Sequence, residues 1–267
     1  VKRGLLLVGH GTRDQRGQAE FFALAEDIAA RLPRLCVQPA FLELLQPSVA
    51  EGLRLLADAQ VGHVVVQPLL LIAAGHFKHD LPRAVQAAAP TLHVELAPHL
   101  GSYPALARLS AERFVQVAGP AAAEAAGETL TILVGRGTSD PEGRAEFARF
   151  AHARRACCPT DGFEHCFVAA AEPTLDDALW RAARSPYRRV VVQPHLLFHG
   201  EVLDSIAQQV DRVRDAAPHK EWLLAPHLGP HPVLAEVAAN YARHAEHRCI
   251  EQPGAEPGMP RASQAGP

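Results

Sequence analysis

The chain has 267 residues, of which 48% are hydrophobic and 21% charged, and its formal net charge is −3. That is enough for one large or two small buried cores, while the charge balance excludes a broad basic face for nucleic acid. Aromatic residues make up only 6%, too few for base-stacking platforms, and no apolar run approaches the ~20 residues of a membrane span. In chain order, the apolar run Leu5–Val8 stops at Gly9 and predicts a strand buried on both faces. Ala19–Leu32 has helical spacing and halts at Pro33; Val37–Leu42 predicts a second strand. A helix over Ser48–Ala59 follows Pro47, then come a strand over Val64–Leu70, a helix over Leu81–Ala89 and a strand over Leu92–Leu96. A closing helix spans Tyr103–Val117. The Gly- and Pro-marked stretch Ala118–Thr129 is the expected linker.

The pattern then returns. Gly9 matches Gly135, Pro47 matches Pro173 and Val64 matches Val190, each at an offset of 126, and "LAPHLG" recurs at Leu96 and Leu224, 128 apart. One offset held over most of a domain marks duplication. The expected architecture is α/β: two tandem, similar parallel-sheet domains over 1–120 and 128–245, then a disordered tail over 246–267. Five cysteines without a Cys-x-x-Cys pair predict reduced thiols in a cytoplasm. The opening apolar run is too short for a signal peptide.

Open parallel sheets gather ligands at the carboxyl ends of their strands. There the first copy places His10, Glu43 and His76, one after each of three strands. Two imidazoles and a carboxylate suit a borderline divalent ion such as iron, cobalt, nickel or zinc. The glycines around His10 and before His76 give a bulky ligand room at the backbone. The neighbouring wall, Leu69 to Ala74, is apolar and then small, which suits a flat, greasy ring. A histidine after a strand more often caps or packs, and a loop carboxylate is more often merely solvated. The second copy decides between these: it has Arg136 for His10, Ala169 for Glu43 and, with a one-residue gap, Glu201 for His76. Structural residues have no reason to change as a set, whereas a site kept in one copy and lost in the other does.

"LLLVGHGTRD" from Leu5, "FLELLQPS" from Phe41 and "LLLIAAGHFKHDLP" from Leu69 resemble the CbiX/SirB class of sirohydrochlorin chelatases. The resemblance covers nearly the whole chain to about Tyr241, and the duplicated length resembles the long form with two fused chelatase-like domains. It implies ATP-independent insertion of Co²⁺ or Fe²⁺, with Ni²⁺ in close relatives, into a sirohydrochlorin-like tetrapyrrole held in a cleft between the domains. It implies no organic cofactor, nucleic acid or membrane partner, and a monomer, with a homodimer as the alternative. By the same resemblance His10 and His76 are metal ligands and catalytic, His10 is a proton acceptor, and Glu43 sits at the metal or substrate. Gly11, Thr12, Leu70, Ala73, Ala74 and Gly75 line the substrate, whose carboxylates meet Arg13, Lys78, Arg136 and backbone N–H groups at the helix start after Thr12.

Other histidines weigh less. His79 reads as surface, Asp80 as a helix cap, and His99 and His227, in matched "APHLG" turns, as structural. His195 and His199 are placed for the far wall, and His244, His247 and Cys249 have loose metal-like spacing. Two alternatives stand beside a chelatase. One is a non-catalytic metal or tetrapyrrole carrier. The other is a histidine phosphatase, although Gly9 stands where that class has its phosphate-binding arginine.

Overall fold

The apolar runs form two four-stranded parallel sheets. A computed structural model of the protein describes residues 2–72, 81–88, 92–119 and 128–251, with side chains of 86–88 and 246–251 excepted. The first sheet contains β1 (Lys2–Gly9), β2 (Cys36–Phe41), β3 (Val61–Pro68) and β4 (His93–Leu96) in the order β2-β1-β3-β4. Around it lie α1 (Gln15–Arg31), α2 (Val49–Asp58), α3 (Leu81–Ala88) and α4 (Ala105–Ala118). The second sheet repeats this with β5 (Thr129–Gly135), β6 (Gly162–Phe167), β7 (Arg189–Pro194) and β8 (Glu221–Leu224) in the order β6-β5-β7-β8. Its helices are α5 (Pro141–Cys157), α6 (Leu175–Arg184), α7 (Glu201–Ala216) and α8 (Pro232–Glu251). Register is matched as well: Leu6 pairs with Gln38 and Val66, and Ile132 with Glu164 and Val192.

Side chains alternate across the central strand. Leu5 and Leu7 face Phe21 and Leu24 of α1, while Leu6 and Val8 face Leu53 of α2 and Leu81 of α3. All four strand residues are fully buried, each stabilising the fold by roughly 1.5–3 kcal/mol. The caps repeat too. Asp14 accepts from the N–H of Arg16, and Asp140 from that of Glu142; Ser48 forms a capping box with Glu51, and Thr174 accepts from the N–H of Asp177. The Asp14 cap is why α1 opens at Gln15 rather than at Ala19.

One expectation needs correcting. The sequence repeats end near 120 and 245, but the last helix of each repeat packs on the other repeat. Helix α8 lies against α1 and β3, and α4 lies against α5, β7 and β8. The exchange is fastened at both ends. Arg31 pairs with Glu236 at 2.8 Å and the Tyr241 hydroxyl donates to Glu95 at 2.9 Å. Across the other seam the buried Gln193 amide donates to the Ser110 carbonyl and accepts from Nε of the buried Arg154 at 3.1 Å. Helical spacing tells which face is buried, not which sheet covers it. Helix α8 also continues to Glu251, so 246–251 are helical rather than tail; the small residues Ala235, Ala238, Ala239, Ala242 and Ala245 are its buried face. Among the described residues no helix is long and apolar enough to cross a membrane.

Candidate functional site

Strand β1 ends at Gly9, and the ladder to β2 runs on past both strands: Leu42 N–H donates to the Gly9 carbonyl at 2.9 Å and Glu43 N–H to the His10 carbonyl at 3.1 Å. These bonds set the two loops side by side. His10 Nδ1 and Glu43 Oε1 are 3.2 Å apart, and both side chains are partly exposed. With Nδ1–H donated to the carboxylate, the lone pair stays on Nε2, the form in which an imidazole accepts a proton or binds a metal. His76, Ala73, Ala74, Gly75, Lys78, His79 and Asp80 lie outside the described residues.

The pair opens into a cleft of about 680 Å³ between the two domains. Gly11, Thr12, Arg13, Leu70, Leu71 and Ile72 line one wall; Arg136, Thr138, Leu196, Phe198, His199 and Glu201 line the other. Arg13 and Arg136 are exposed, and neither is paired with a carboxylate among the described residues. Each wall combines polar residues at the strand ends with an apolar stretch, Leu69 to Ile72 on one side and Leu196 to Phe198 on the other.

Two expectations change in detail. Gly9 and Gly11 do not open space for a ligand; they let the chain pack on itself, while Gly75 lies outside the described residues. A Cβ on Gly9 would meet the Phe21 ring at 2.6 Å, and one on Gly11, at φ +99°, would meet the Glu43 carbonyl oxygen at 1.9 Å. Gly135 and Gly137 are confined in the same way by Phe147 and the Ala169 carbonyl, which explains why both copies keep them. Two of the N–H groups at the start of α1 are already engaged: that of Asp14 donates to the Thr12 hydroxyl at 3.1 Å and that of Arg16 to Asp14 at 2.8 Å.

The remaining histidines separate. His195 is buried between Phe147 and Phe150, with ring centroids 5.4 and 4.0 Å away, and burial pushes its pKa down to about 3 despite the opposing pull of Glu146. It is a neutral core residue, at the edge of the far wall. His99 Nε2 meets Glu146 of α5 at 2.8 Å, and His227 Nε2 meets Glu20 of α1 at 3.1 Å, so each "APHLG" turn is tied to the opposite domain. Glu20 and Glu146 were missed by sequence reasoning. They were findable: both stand in "AEF" at the offset of 126. His244 hydrogen-bonds to the Asn240 carbonyl within α8 at 2.7 Å; the side chains of His247 and Cys249 lie outside the described residues. Cys36, Cys157, Cys158 and Cys166 are free thiols.

Comparison with known proteins bears on the whole chain. The CbiX family model matches residues 4–117 and 130–245, one match per repeat. A sirohydrochlorin ferrochelatase of Priestia megaterium is 27% identical over 242 residues, covering 90% of this chain and 89% of that one. A sirohydrochlorin cobaltochelatase of the same organism is 26% identical over 240 residues, covering 88% and 77%. The structure of SirB from Bacillus subtilis with Fe³⁺ matches with a TM-score of 0.82 at 25% identity, covering 94% of this chain and 98% of that chain.

Proposed function

This chain belongs to the CbiX family, and we propose that it is a sirohydrochlorin metal chelatase, inserting a divalent ion into the tetrapyrrole. The observation that carries this reading is the His10–Glu43 pair at the mouth of an interdomain cleft, in a chain whose relatives are a ferrochelatase and a cobaltochelatase of sirohydrochlorin. The metal is a substrate, Co²⁺ first and Fe²⁺ next, with Ni²⁺ also accepted; the donor set fits all three. No organic cofactor and no ATP take part. The protein works as a cytoplasmic monomer.

The chemistry exchanges two pyrrole N–H protons for one M²⁺. His10 and His76 hold the incoming ion with Glu43 and deliver it to the ring nitrogens. Each pyrrole proton leaves as a pyrrole nitrogen lone pair turns to the metal; His10 accepts one at Nε2 once the ion has passed to the ring and freed that lone pair, and the other leaves to water in the open cleft. Glu43 stabilises the resulting imidazolium at Nδ1. On the opposite wall Arg136 meets a carboxylate of the substrate, as Arg13 does on the near one. Leu70, Leu71 and Ile72 cover the ring's apolar face.

The test is an anaerobic insertion assay on sirohydrochlorin with Co²⁺, Fe²⁺ and Ni²⁺ in parallel. Many metallated rings per chain are expected. No more than one per chain would make the protein a carrier.

A further inference from the structure

The two domains meet through a matched pair of contacts, Glu146–His99 and Glu20–His227. Around Glu20 there is more. His199, in the loop after β7, brings a third ligand atom, and the atoms offered by Glu20, His199 and His227 all lie within 4.8 Å of one another. At the matched offset the first copy has Ala73 followed by Ala74, which have no ligand atom to give. We infer that Glu20, His199 and His227 form a second site for a first-row divalent cation, separate from His10 and Glu43, which ties the first domain to the second.

The donors are prepared for it. His227 Nε2 faces both carboxylate oxygens of Glu20 at 3.1 Å. An ion bound there replaces the hydrogen bond between them, with the His227 ring proton on Nδ1 and the lone pair on Nε2. His199 Nε2 lies 3.1 Å from Asp204 Oδ1. A proton donated there leaves the lone pair on Nδ1, the carboxylate–histidine arrangement that orients metal ligands. Asp204 is itself held by Arg16 at 2.6 Å, and the His199 N–H donates to Glu20 at 2.6 Å. Metal bonds of ~2.1 Å put tetrahedral ligand atoms ~3.4 Å apart, so atoms that now lie within 4.8 Å of one another close by up to ~1.4 Å. One carboxylate and two neutral imidazoles match a borderline dication. Glu20 comes from α1 of the first domain and both histidines from the second, so a bound ion bridges the seam beside the cleft that His199 also lines.

The experiment is anaerobic titration of the full chain with Co²⁺, read by calorimetry and by the d–d absorption of bound cobalt. The unmodified protein should bind two ions. His10→Ala should bind one, and His10→Ala/His227→Gln none within a tenfold range of affinity. Because His227 also fastens the seam, His10→Ala/His199→Asn is run beside it. Cobalt should raise the melting temperature of His10→Ala and leave that of His10→Ala/His199→Asn unmoved. A single ion in the unmodified protein that His10→Ala abolishes would overturn the second site and leave the chelatase reading intact. An ion retained with equal affinity in both double variants would also overturn it. Unchanged insertion by His10→Ala, with one ion lost only in the double variants, would instead sink the chelatase reading and keep this one.

Discussion

The two copies share a backbone and differ in chemistry. Glu43 N–H bonds the His10 carbonyl at 3.1 Å, and Ala169 N–H bonds the Arg136 carbonyl at 3.0 Å. Gly11 and Gly137 have φ of +99° and +98°, and Leu44 and Ala170 are both left-handed. On this common frame one strand end presents an imidazole beside a carboxylate and the other a guanidinium beside a methyl group. Guanidinium has no lone pair to offer a cation at neutral pH, but its charge and fork suit an anion. The frame therefore builds a strand-end pocket in either copy, and two side chains decide whether that pocket offers a lone pair beside a carboxylate or a fixed positive charge.

The harshest way to break the comparison is to separate the copies. Residues 1–119 alone lack α8, which covers α1, and leave the buried face of α4 without α5 and β7. No active monomer is expected; sedimentation should find either unfolded chain or a dimer in which two copies exchange α4. A folded, fully active monomeric half would remove the need for a second wall.

A large effect is also expected where the copies differ inside the core, at His195 and its counterpart Leu69. The folded pKa of about 3 lies below the ~6.5 of an unfolded histidine. The unfolded chain therefore binds the extra proton between those values. Stability from this group is complete above pH ~6.5 and falls as pH drops through the window, by up to ~1.4 kcal/mol per unit. His195→Leu should flatten the acid limb of a melting-temperature profile from pH 7 to 4 relative to the unmodified chain. Parallel profiles would mean that His195 is not buried neutral.

These cases show what the sequence made legible. The alternation of strands and helices, the strand-end placement of His10 and Glu43, and the duplication followed from apolar runs, glycines and one offset; the order of strands in each sheet did not. The exchange of α4 and α8 did not, because an amphipathic pattern such as Leu106, Leu109 and Phe114 is indifferent to which sheet receives it. Gly9 and Gly11 were seen but assigned to a ligand's clearance; only the positions of Phe21 and the Glu43 carbonyl show what they make room for. Glu20 and Glu146 were passed over because a carboxylate on a helix usually faces water, and their partners lie in the opposite repeat.

A smaller effect comes from giving the first copy a residue of the second. Glu43→Ala, the residue found at Ala169, should lower metal affinity or insertion by ~10–100-fold, as loss of a ligand's supporting group does; equilibrium dialysis with Co²⁺ beside the insertion assay separates the two. Smallest is Arg136→Ala. Removing one exposed charge partner costs about 1 kcal/mol at most, so sirohydrochlorin should bind about fivefold more weakly, with Co²⁺ affinity unmoved. Arg136→His should create no further metal site, since Ala169 supplies no carboxylate beside it.

The most direct test of the division of labour compares His10→Ala with Arg136→Ala in steady-state Co²⁺ insertion into sirohydrochlorin, with circular dichroism confirming that both are folded. If His10 serves as ligand and base, as proposed, its loss should cut kcat of the first at least ~100-fold, while the second changes mainly KM for the tetrapyrrole, by about fivefold. Near-normal kcat in His10→Ala, or equal losses of kcat in both variants, would contradict a site built in one copy and walled by the other.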